Sequence, residues 1–334
     1  MRAGRGPADP VLAGADGGRN EGALSQLIAL TGATGFIGRH VLRDLTARGY
    51  RVRLLLRRPV DAMPEGASSA VVGDLTRPMN MAAALAGVDA VVHSAGLAHA
   101  MSGAPEDDYR TLNTEATQRL AEAAARARVR RFVFLSSIRA QAGPSAPGMV
   151  TEADDPAPTD AYGRSKLDAE RALAAIGIDW VALRPVLVYG AGVKGNMAAL
   201  VRLARSPYPL PLASLAGRRS LVSVESLSAA IDAVLRTDTS PNRPLVVADP
   251  DAQTLPEMLT ALRAGLGRRP GLVPLPSAAI GLACRLTGRE ALFSRLAENL
   301  VARSDGLSAL GWAPAGTTRD GLARLARGHA SANQ

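Results

Sequence analysis

The chain has 334 residues, 47% of them hydrophobic and 21% charged, and this composition excludes an intrinsically disordered protein. Its single cysteine, Cys284, excludes an internal disulfide framework and favours a reducing compartment, the cytoplasm; we expect a small buried residue there rather than a nucleophile. The formal charge of +9 is spread along the chain without a basic patch or a nucleic-acid motif, so we expect no nucleic-acid partner.

Beyond an N-terminal tail of residues 1–24, which shows no apolar periodicity, short apolar runs alternate with helical stretches. Strands are predicted at Leu27–Thr31, Val52–Leu56, Ala70–Val72, Ala90–His93, Phe132–Ser136 and Trp180–Leu183. Helices are predicted at Ile37–Arg48, Met81–Ala86, Thr111–Arg128 and Ala161–Ile176. This alternation predicts an α/β fold with a doubly wound parallel sheet and right-handed crossovers over residues 25–185.

After Arg184 the alternation loosens, and residues 186–330 are predicted to form a smaller substrate-binding lobe that returns one strand, Pro244–Ala248, to the sheet. The apolar segment Leu272–Leu286 is shorter than the roughly 18 residues that a membrane span needs, and prolines interrupt it. We therefore expect a core helix there and no integral membrane segment.

A glycine-rich loop lies directly between the first strand and the first helix, where the sequence reads Thr-Gly-Ala-Thr-Gly-Phe-Ile-Gly from Thr31. Gly32 permits the tight turn, Gly35 lets the backbone approach a pyrophosphate, and Gly38 lets the helix pack on the strand. The free N–H groups at the helix start favour the anion. The loop predicts a Rossmann-like dinucleotide site, and its candidate contacts are Gly32, Thr34, Gly35, Phe36, Ile37 and Gly38.

The second strand ends at Arg57 and Arg58, where an acidic residue would otherwise bind the ribose diol of NAD. Arginine pairs bidentately with phosphate, so the pair favours the 2′-phosphate of NADP. NAD stays possible, because two solvated arginines at a strand end give the same pattern.

Six motifs in this order and spacing resemble the extended short-chain dehydrogenases, a family that includes nucleotide-sugar epimerases, dehydratases and ketoreductases. They are Thr31–Gly38, Gly73–Leu75, His93–Gly96, Asn113, Phe134–Ser137 and Tyr162–Lys166. The resemblance implies that Asp74 and Leu75 contact the adenine, that Ser94 and Ala95 line the cofactor, and that Asn113, Ser136 and Pro185 complete its site. It also implies a homodimer formed through the helices that contain Asn113 and Tyr162.

Tyr162 and Lys166 are predicted to form the catalytic pair, because four residues apart in a helix they face the same side. An ammonium beside a phenol is expected to lower the pKa of the phenol toward the working pH, as an acid/base catalyst requires. Only Lys166 and Lys194 are lysines among the 39 basic residues, which singles out Lys166. Ser137, at the end of the fifth strand, is expected to donate a hydrogen bond to the reacting oxygen.

Departures from the family pattern narrow the reaction. Dehydratases carry an acidic pair after the residue that matches Ser137, whereas this chain has Ile138 and Arg139, so water elimination is disfavoured. Epimerases usually carry an asparagine at the position of Leu187 and an acidic residue at the end of the second strand, where it binds NAD. This chain has neither.

The segment from Val188 to Val222 resembles bacterial UDP-sugar 4-ketoreductases of the UDP-N-acetylquinovosamine type. Arg219 matches the arginine that grips the substrate diphosphate, with Lys194 and Asn196 as further candidates. The leading hypothesis is thus reduction of a UDP-4-keto-sugar, and UDP-sugar 4-epimerisation is the runner-up. Reduction of a steroid-like or flavonoid-like ketone and a non-catalytic dinucleotide-binding scaffold or sensor remain as alternatives.

The histidines are not expected to act in catalysis. His93 ends a buried strand and is interpreted as a structural residue, although it and His99 are possible catalysts. No cluster of His, Cys and carboxylates has the spacing of a metal site, so no metal is predicted.

Overall fold

The computed structural model describes residues 26–60, 62–97 and 105–331, so the predicted tail and His99 lie outside the described residues. The strands are β1 (Leu27–Thr31), β2 (Arg51–Leu56), β3 (Ala67–Val71), β4 (Ala90–His93), β5 (Arg131–Leu135), β6 (Met149–Val150), β7 (Trp180–Pro185), β8 (Leu187–Tyr189), β9 (Arg218–Arg219), β10 (Leu221–Ser223), β11 (Arg243–Val247), β12 (Gln253–Thr254) and β13 (Val301–Ala302). The helices are α1 (Phe36–Ala47), α2 (Met81–Leu85), α3 (Glu106–Tyr109), α4 (Ala116–Arg126), α5 (Ala161–Ile176), α6 (Gly195–Ala204), α7 (Val224–Arg236), α8 (Leu255–Gly265), α9 (Ser277–Leu286), α10 (Glu290–Ala297), α11 (Asp305–Ala309) and α12 (Thr318–Ser331).

Seven parallel strands form the central sheet in the order β11-β7-β5-β4-β1-β2-β3, which confirms the predicted doubly wound α/β fold. Side chains of each strand alternate between two apolar cores, as Ile28 and Ala29 do on β1. Helices cover both faces, which explains why the strands read as continuous apolar runs. The carboxyl ends of β1, β4 and β5 therefore meet at one edge, where the predicted site residues follow them.

The predicted helix Thr111–Arg128 is interrupted in the structure. Residues Arg110–Glu115 form a π-helical turn between α3 and α4, and Asn113 lies in it with its side chain fully buried. Insertions of this kind are frequent at functional sites, because they turn one side chain away from the regular helical ladder. Hydrophobic periodicity does not reveal such a local change.

A third apolar core lies between α6, α8 and α12 in the C-terminal part of the chain. The predicted core helix at Leu272–Leu286 is wrong: α9 begins only at Ser277, after Pro276, and none of its residues is buried. Its Gly281 packs on Phe293 of α10, so the two helices pair with each other, and Cys284 is only half-buried. No helix among the described residues is long and apolar enough to span a membrane.

Candidate active site

The glycine loop is closed by contacts that leave no room for side chains. A Cβ on Gly38 would lie 2.1 Å from the carbonyl oxygen of Gly32, and one on Gly32, whose φ is +72°, would lie 2.6 Å from the Ala95 nitrogen. Gly35 forms the N-terminal cap of α1 without a side-chain cap, and the first turn carries no acidic residue. The helix start is thus shaped to receive an anion such as a pyrophosphate.

A cavity of about 680 Å³ opens beside this loop, a size typical of small-molecule sites. The predicted cofactor residues that line it are Gly32, Thr34, Arg57, Arg58, Asp74, Leu75 and Ala95. The absence of a Cβ at the glycines and the volume of the cavity fit a bound dinucleotide. Gly35, Phe36, Ile37 and Gly38 continue from the loop into α1, and Ser94 precedes Ala95 at the end of β4.

Arg57 and Arg58 are exposed at one end of the cavity. The Arg57 Nη2 lies 4.0 Å from Asp74 Oδ2, and the Thr76 N–H donates to Asp74 Oδ1 over 2.8 Å. That hydrogen bond holds the pKa of Asp74 below its ordinary value, so this end carries two guanidiniums and one carboxylate. Positive charge therefore predominates at this end of the cavity.

His93 links the glycine loop to the π-helical turn. Its Nδ1 lies 2.7 Å from Thr31 Oγ1 and its Nε2 lies 2.9 Å from Thr117 Oγ1. Thr117 donates to the Asn113 carbonyl oxygen and Thr31 accepts from the Ala95 N–H, so the bonds are consistent when His93 carries its proton on Nε2. Burial lowers the pKa of His93 to about 3, which keeps the ring neutral and confirms the structural interpretation.

Asn113 joins the cavity wall to α5. Its Oδ1 accepts from the Leu97 N–H over 2.8 Å, and its Nδ2 donates to the Leu97 carbonyl and to Ser165 Oγ, each over 3.1 Å. Asn113 therefore fixes the loop after β4 against the helix that contains the predicted catalytic pair.

Tyr162 and Lys166 lie in the first two turns of α5, and Asp160 caps that helix by accepting from the Gly163 N–H over 2.6 Å. The side chains of Tyr162 and Ser137 are hydrogen-bonded. Lys166 donates from Nζ to the Leu135 carbonyl over 2.9 Å, and a Cβ on Gly96 would lie 3.4 Å from this Nζ. Gly96 lines the cavity, so the ammonium lies close to one residue of the cavity wall, whereas Tyr162, Ser137 and Lys166 do not themselves line it.

The expected lowering of the phenol pKa by Lys166 is wrong for this structure. Burial raises the pKa of Tyr162 to about 12, and the groups that oppose this shift are Ser137 and Arg139. Lys166 is itself buried, which lowers its pKa to about 8, and its Nζ lies 4.5 Å from the centre of the Phe134 ring. Burial, rather than the neighbouring lysine that the four-residue spacing suggested, dominates the pKa of the phenol.

Comparisons with known proteins place this geometry in a family. Residues 28–248 match the model of the NAD dependent epimerase/dehydratase family. The chain belongs to this family. It is 33% identical over 321 residues to UDP-glucose 4-epimerase of Vibrio cholerae, covering 93% of this chain and 97% of that protein. It is 32% identical over 316 residues to dTDP-6-deoxy-L-talose 4-dehydrogenase (NAD(P)(+)) of Kitasatospora kifunensis, covering 89% and 94%.

The fold agrees with solved structures of similar proteins. The structure of MoeE5 in complex with UDP-glucuronic acid and NAD superposes with a TM-score of 0.71 at 27% identity, covering 91% of this chain and 99% of that one. The predicted recognition as an extended short-chain dehydrogenase is confirmed.

A buried ion pair of this family member was missed by sequence reasoning. Arg184 on β7 donates from Nε to Glu170 Oε1 over 3.0 Å and from a second nitrogen to Oε2, and both side chains are buried. Ser136 also donates to Glu170, so its hydroxyl is held by this pair although it was predicted to bind cofactor. The sequence did contain a signal for this pair. Arg184 lies inside an apolar strand, and Glu170 follows Lys166 by one helical turn.

A second ion pair, also missed, joins the turn after Ser137 to the start of α5. Arg139 donates to Asp160, and its own backbone N–H donates to Ser137 Oγ over 3.2 Å. Arg139 thus occupies, in a salt bridge, one of the positions where dehydratases would carry an acid.

The predicted substrate residues lie on the C-terminal side. Lys194 and Asn196 are exposed at the start of α6, and Arg219 on β9 donates from Nη1 to the Pro144 carbonyl over 3.1 Å. Pro185 is buried at the end of β7, which pairs with β5. Among the residues that the structure describes, no cluster of His, Cys or carboxylates could hold a metal ion.

Proposed function

We propose that the protein is an NADP-dependent reductase of a UDP-4-keto-sugar, of the UDP-N-acetylquinovosamine type. The observation that carries the proposal is the Tyr162–Ser137 hydrogen bond one helical turn before Lys166, whose ammonium lies close to Gly96 of the cavity lining. A proton donor, a second hydroxyl and a buried cation are what reduction of a carbonyl requires besides the hydride.

Each residue of the proposed site has a separate role in the reduction. Ser137 donates a hydrogen bond to the carbonyl oxygen of the substrate and Tyr162 passes a proton to that oxygen, while Lys166 stabilises the phenolate that remains. A bound nicotinamide supplies the hydride in this chemistry, and in its oxidised form adds a positive charge that favours the phenolate. Arg219, with Lys194 and Asn196, is proposed to hold the diphosphate of the substrate.

The choice of NADP is supported by Arg57 and Arg58, which line the cavity and lie exposed. The family is described as NAD dependent, and the solved relative MoeE5 contains NAD, so NAD is the alternative. Charge-assisted hydrogen bonds contribute about 1.5–3 kcal/mol each. Replacing both arginines by alanine should therefore weaken NADPH binding by roughly a hundredfold and leave NADH binding within about twofold. Arg77→Ala, an exposed arginine outside the cavity lining, is the matched control.

UDP-sugar 4-epimerisation is the second candidate, because the Vibrio cholerae relative of that name matches 93% of this chain. The two functions differ in what happens to the cofactor. A reductase should bind NADPH loosely and consume one equivalent for each ketone reduced, whereas an epimerase should retain NAD through purification.

The deciding experiment follows NADPH and NADH oxidation at 340 nm with UDP-4-keto-sugars, and the reverse reaction with UDP-N-acetylquinovosamine and NADP⁺. Stoichiometric oxidation of NADPH supports the reductase. Interconversion of UDP-glucose and UDP-galactose without net change in cofactor would show an epimerase instead of a reductase. Turnover of a ketone that carries no UDP, such as a steroid-like ketone, would overturn both nucleotide-sugar functions. If the protein binds a dinucleotide but turns over none of these substrates, the non-catalytic scaffold or sensor is the remaining alternative.

We also propose that two copies pair through α4 and α5, and that the enzyme works in the cytoplasm. The exposed outer surface of α5, including Arg164 and Asp168, provides positions for testing the pairing. Sedimentation of the wild-type protein should give the mass of a dimer, and bulky substitutions there should give a monomer.

A further inference from the structure

The turn after Ser137 and the start of α5 are joined by more than one contact. The carbonyl oxygen of Arg139 lies so close to Gly163 that a Cβ there would be 2.2 Å from it, and the Arg139 N–H donates to Ser137 Oγ. Asp160 uses one carboxylate oxygen for the Gly163 N–H and the other for the Arg139 guanidinium. The same two residues therefore hold the Ser137 hydroxyl and the first turn of α5, which carries Tyr162.

We propose that Arg139 and Asp160 are positioning residues that fix Tyr162 against Ser137 and set the charge around its phenol. This inference rests on the proposed function, because it assumes that Tyr162 handles the proton. It assigns a role to Arg139 besides its standing where dehydratases carry an acid: through Asp160 the guanidinium holds the start of α5.

The two charges oppose each other at the phenol. Arg139 lowers the pKa of Tyr162 and Asp160 raises it. The other groups that face Tyr162 are Tyr109 of α3, whose ring centre is 6.1 Å away at an edge-on angle, and Lys166 one turn along α5. The nearby Glu106–Arg164 pair is exposed, so solvent screens it.

Opposite shifts distinguish this role from simple support of the fold. In the oxidation of UDP-N-acetylquinovosamine by NADP⁺, the phenolate is the base, so kcat/KM rises with pH through the pKa of Tyr162. Asp160→Asn keeps the helix cap and removes the negative charge, so the rise of kcat/KM should move to lower pH. Arg139→Gln should move it to higher pH. From a unit charge several ångströms away we expect roughly half to one pH unit in each direction.

Two variants serve as controls. Arg139→Lys keeps the charge and should restore most of the wild-type profile, while Arg285→Gln removes an exposed arginine on α9 and should leave it unmoved. Circular dichroism and urea unfolding identify any variant that fails to fold. Lower kcat/KM at every pH with unmoved profiles, or shifts in the same direction for Asp160→Asn and Arg139→Gln, would overturn the inference.

A second measurement needs no substrate. The absorbance at 295 nm of each protein minus that of its Tyr162→Phe derivative follows the ionisation of this one tyrosine. Its onset should come at lower pH in Asp160→Asn and at higher pH in Arg139→Gln, and coincident onsets would contradict the inference. Absence of turnover with intact opposite shifts would instead refute only the proposed function.

Discussion

Replacing Glu170 by alanine tests the buried ion pair behind the catalytic helix. Glu170 is 3% exposed and Arg184 2%, so truncation leaves a guanidinium in the core without its carboxylate and removes the acceptor of the Ser136 hydroxyl. Breaking a buried pair in this way costs about 3–5 kcal/mol of unfolding free energy. That is a large share of the stability of a typical domain, about 5–15 kcal/mol.

Urea unfolding followed by the fluorescence of the two buried tryptophans, Trp180 and Trp312, measures this loss. Glu290→Ala is the control, because the pair of Glu290 with Arg285 is exposed and lies outside the surface proposed for the pairing of two copies. That change should cost less than about 0.5 kcal/mol. The double variant Glu170→Leu with Arg184→Met should recover much of the loss, since it leaves no charge uncompensated. A Glu170→Ala protein as stable as Glu290→Ala would refute the reasoning.

Two further predictions concern the loop and the lysine. Gly38→Ala should abolish dinucleotide binding and lower the unfolding midpoint, because its Cβ would lie 2.1 Å from the Gly32 oxygen. A fluorescence titration with NADPH measures the binding. Unchanged binding would contradict this prediction and show that the loop can shift to accept a side chain. Burial lowers the pKa of Lys166 from its ordinary 10.5 to about 8, so between these values the unfolded chain binds more protons than the folded protein and stability rises with pH. The cost of charging the buried lysine is thus complete below about pH 8 and fades toward 10.5. Lys166→Met should therefore be more stable than wild type at pH 7, with a gap that narrows by pH 10 in urea unfolding; a gap independent of pH would contradict the burial argument.

The sheet and the loop could be predicted from the sequence because they depend on local patterns. The apolar run Leu27–Thr31 and the glycine spacing from Gly32 to Gly38 each specify a backbone path by themselves, and the structure shows both. The predicted family and the helix with Tyr162 and Lys166 followed from spacing as well.

What depends on distant contacts could not be predicted. Glu170 and Arg184 are 14 residues apart and meet only when α5 packs on β7, and the π-helical turn at Asn113 leaves no trace in the apolar pattern. The pKa of Tyr162 was predicted in the wrong direction, because spacing along a helix gives neighbours but not burial. The prediction of a core helix at α9 was also wrong. The composition of α9 is that of a core helix, yet none of its residues is buried.

The most direct test of the account is the turnover of Tyr162→Phe beside its affinity for NADPH. The substitution removes one hydroxyl from the hydrogen bond with Ser137 and leaves the cavity under the glycine loop intact. We predict that kcat falls by about 10²–10⁴, the usual contribution of a positioned acid or base, while the Kd for NADPH changes less than about threefold. A variant that keeps wild-type kcat with an unchanged Kd would contradict it, since another group would then have to move the proton.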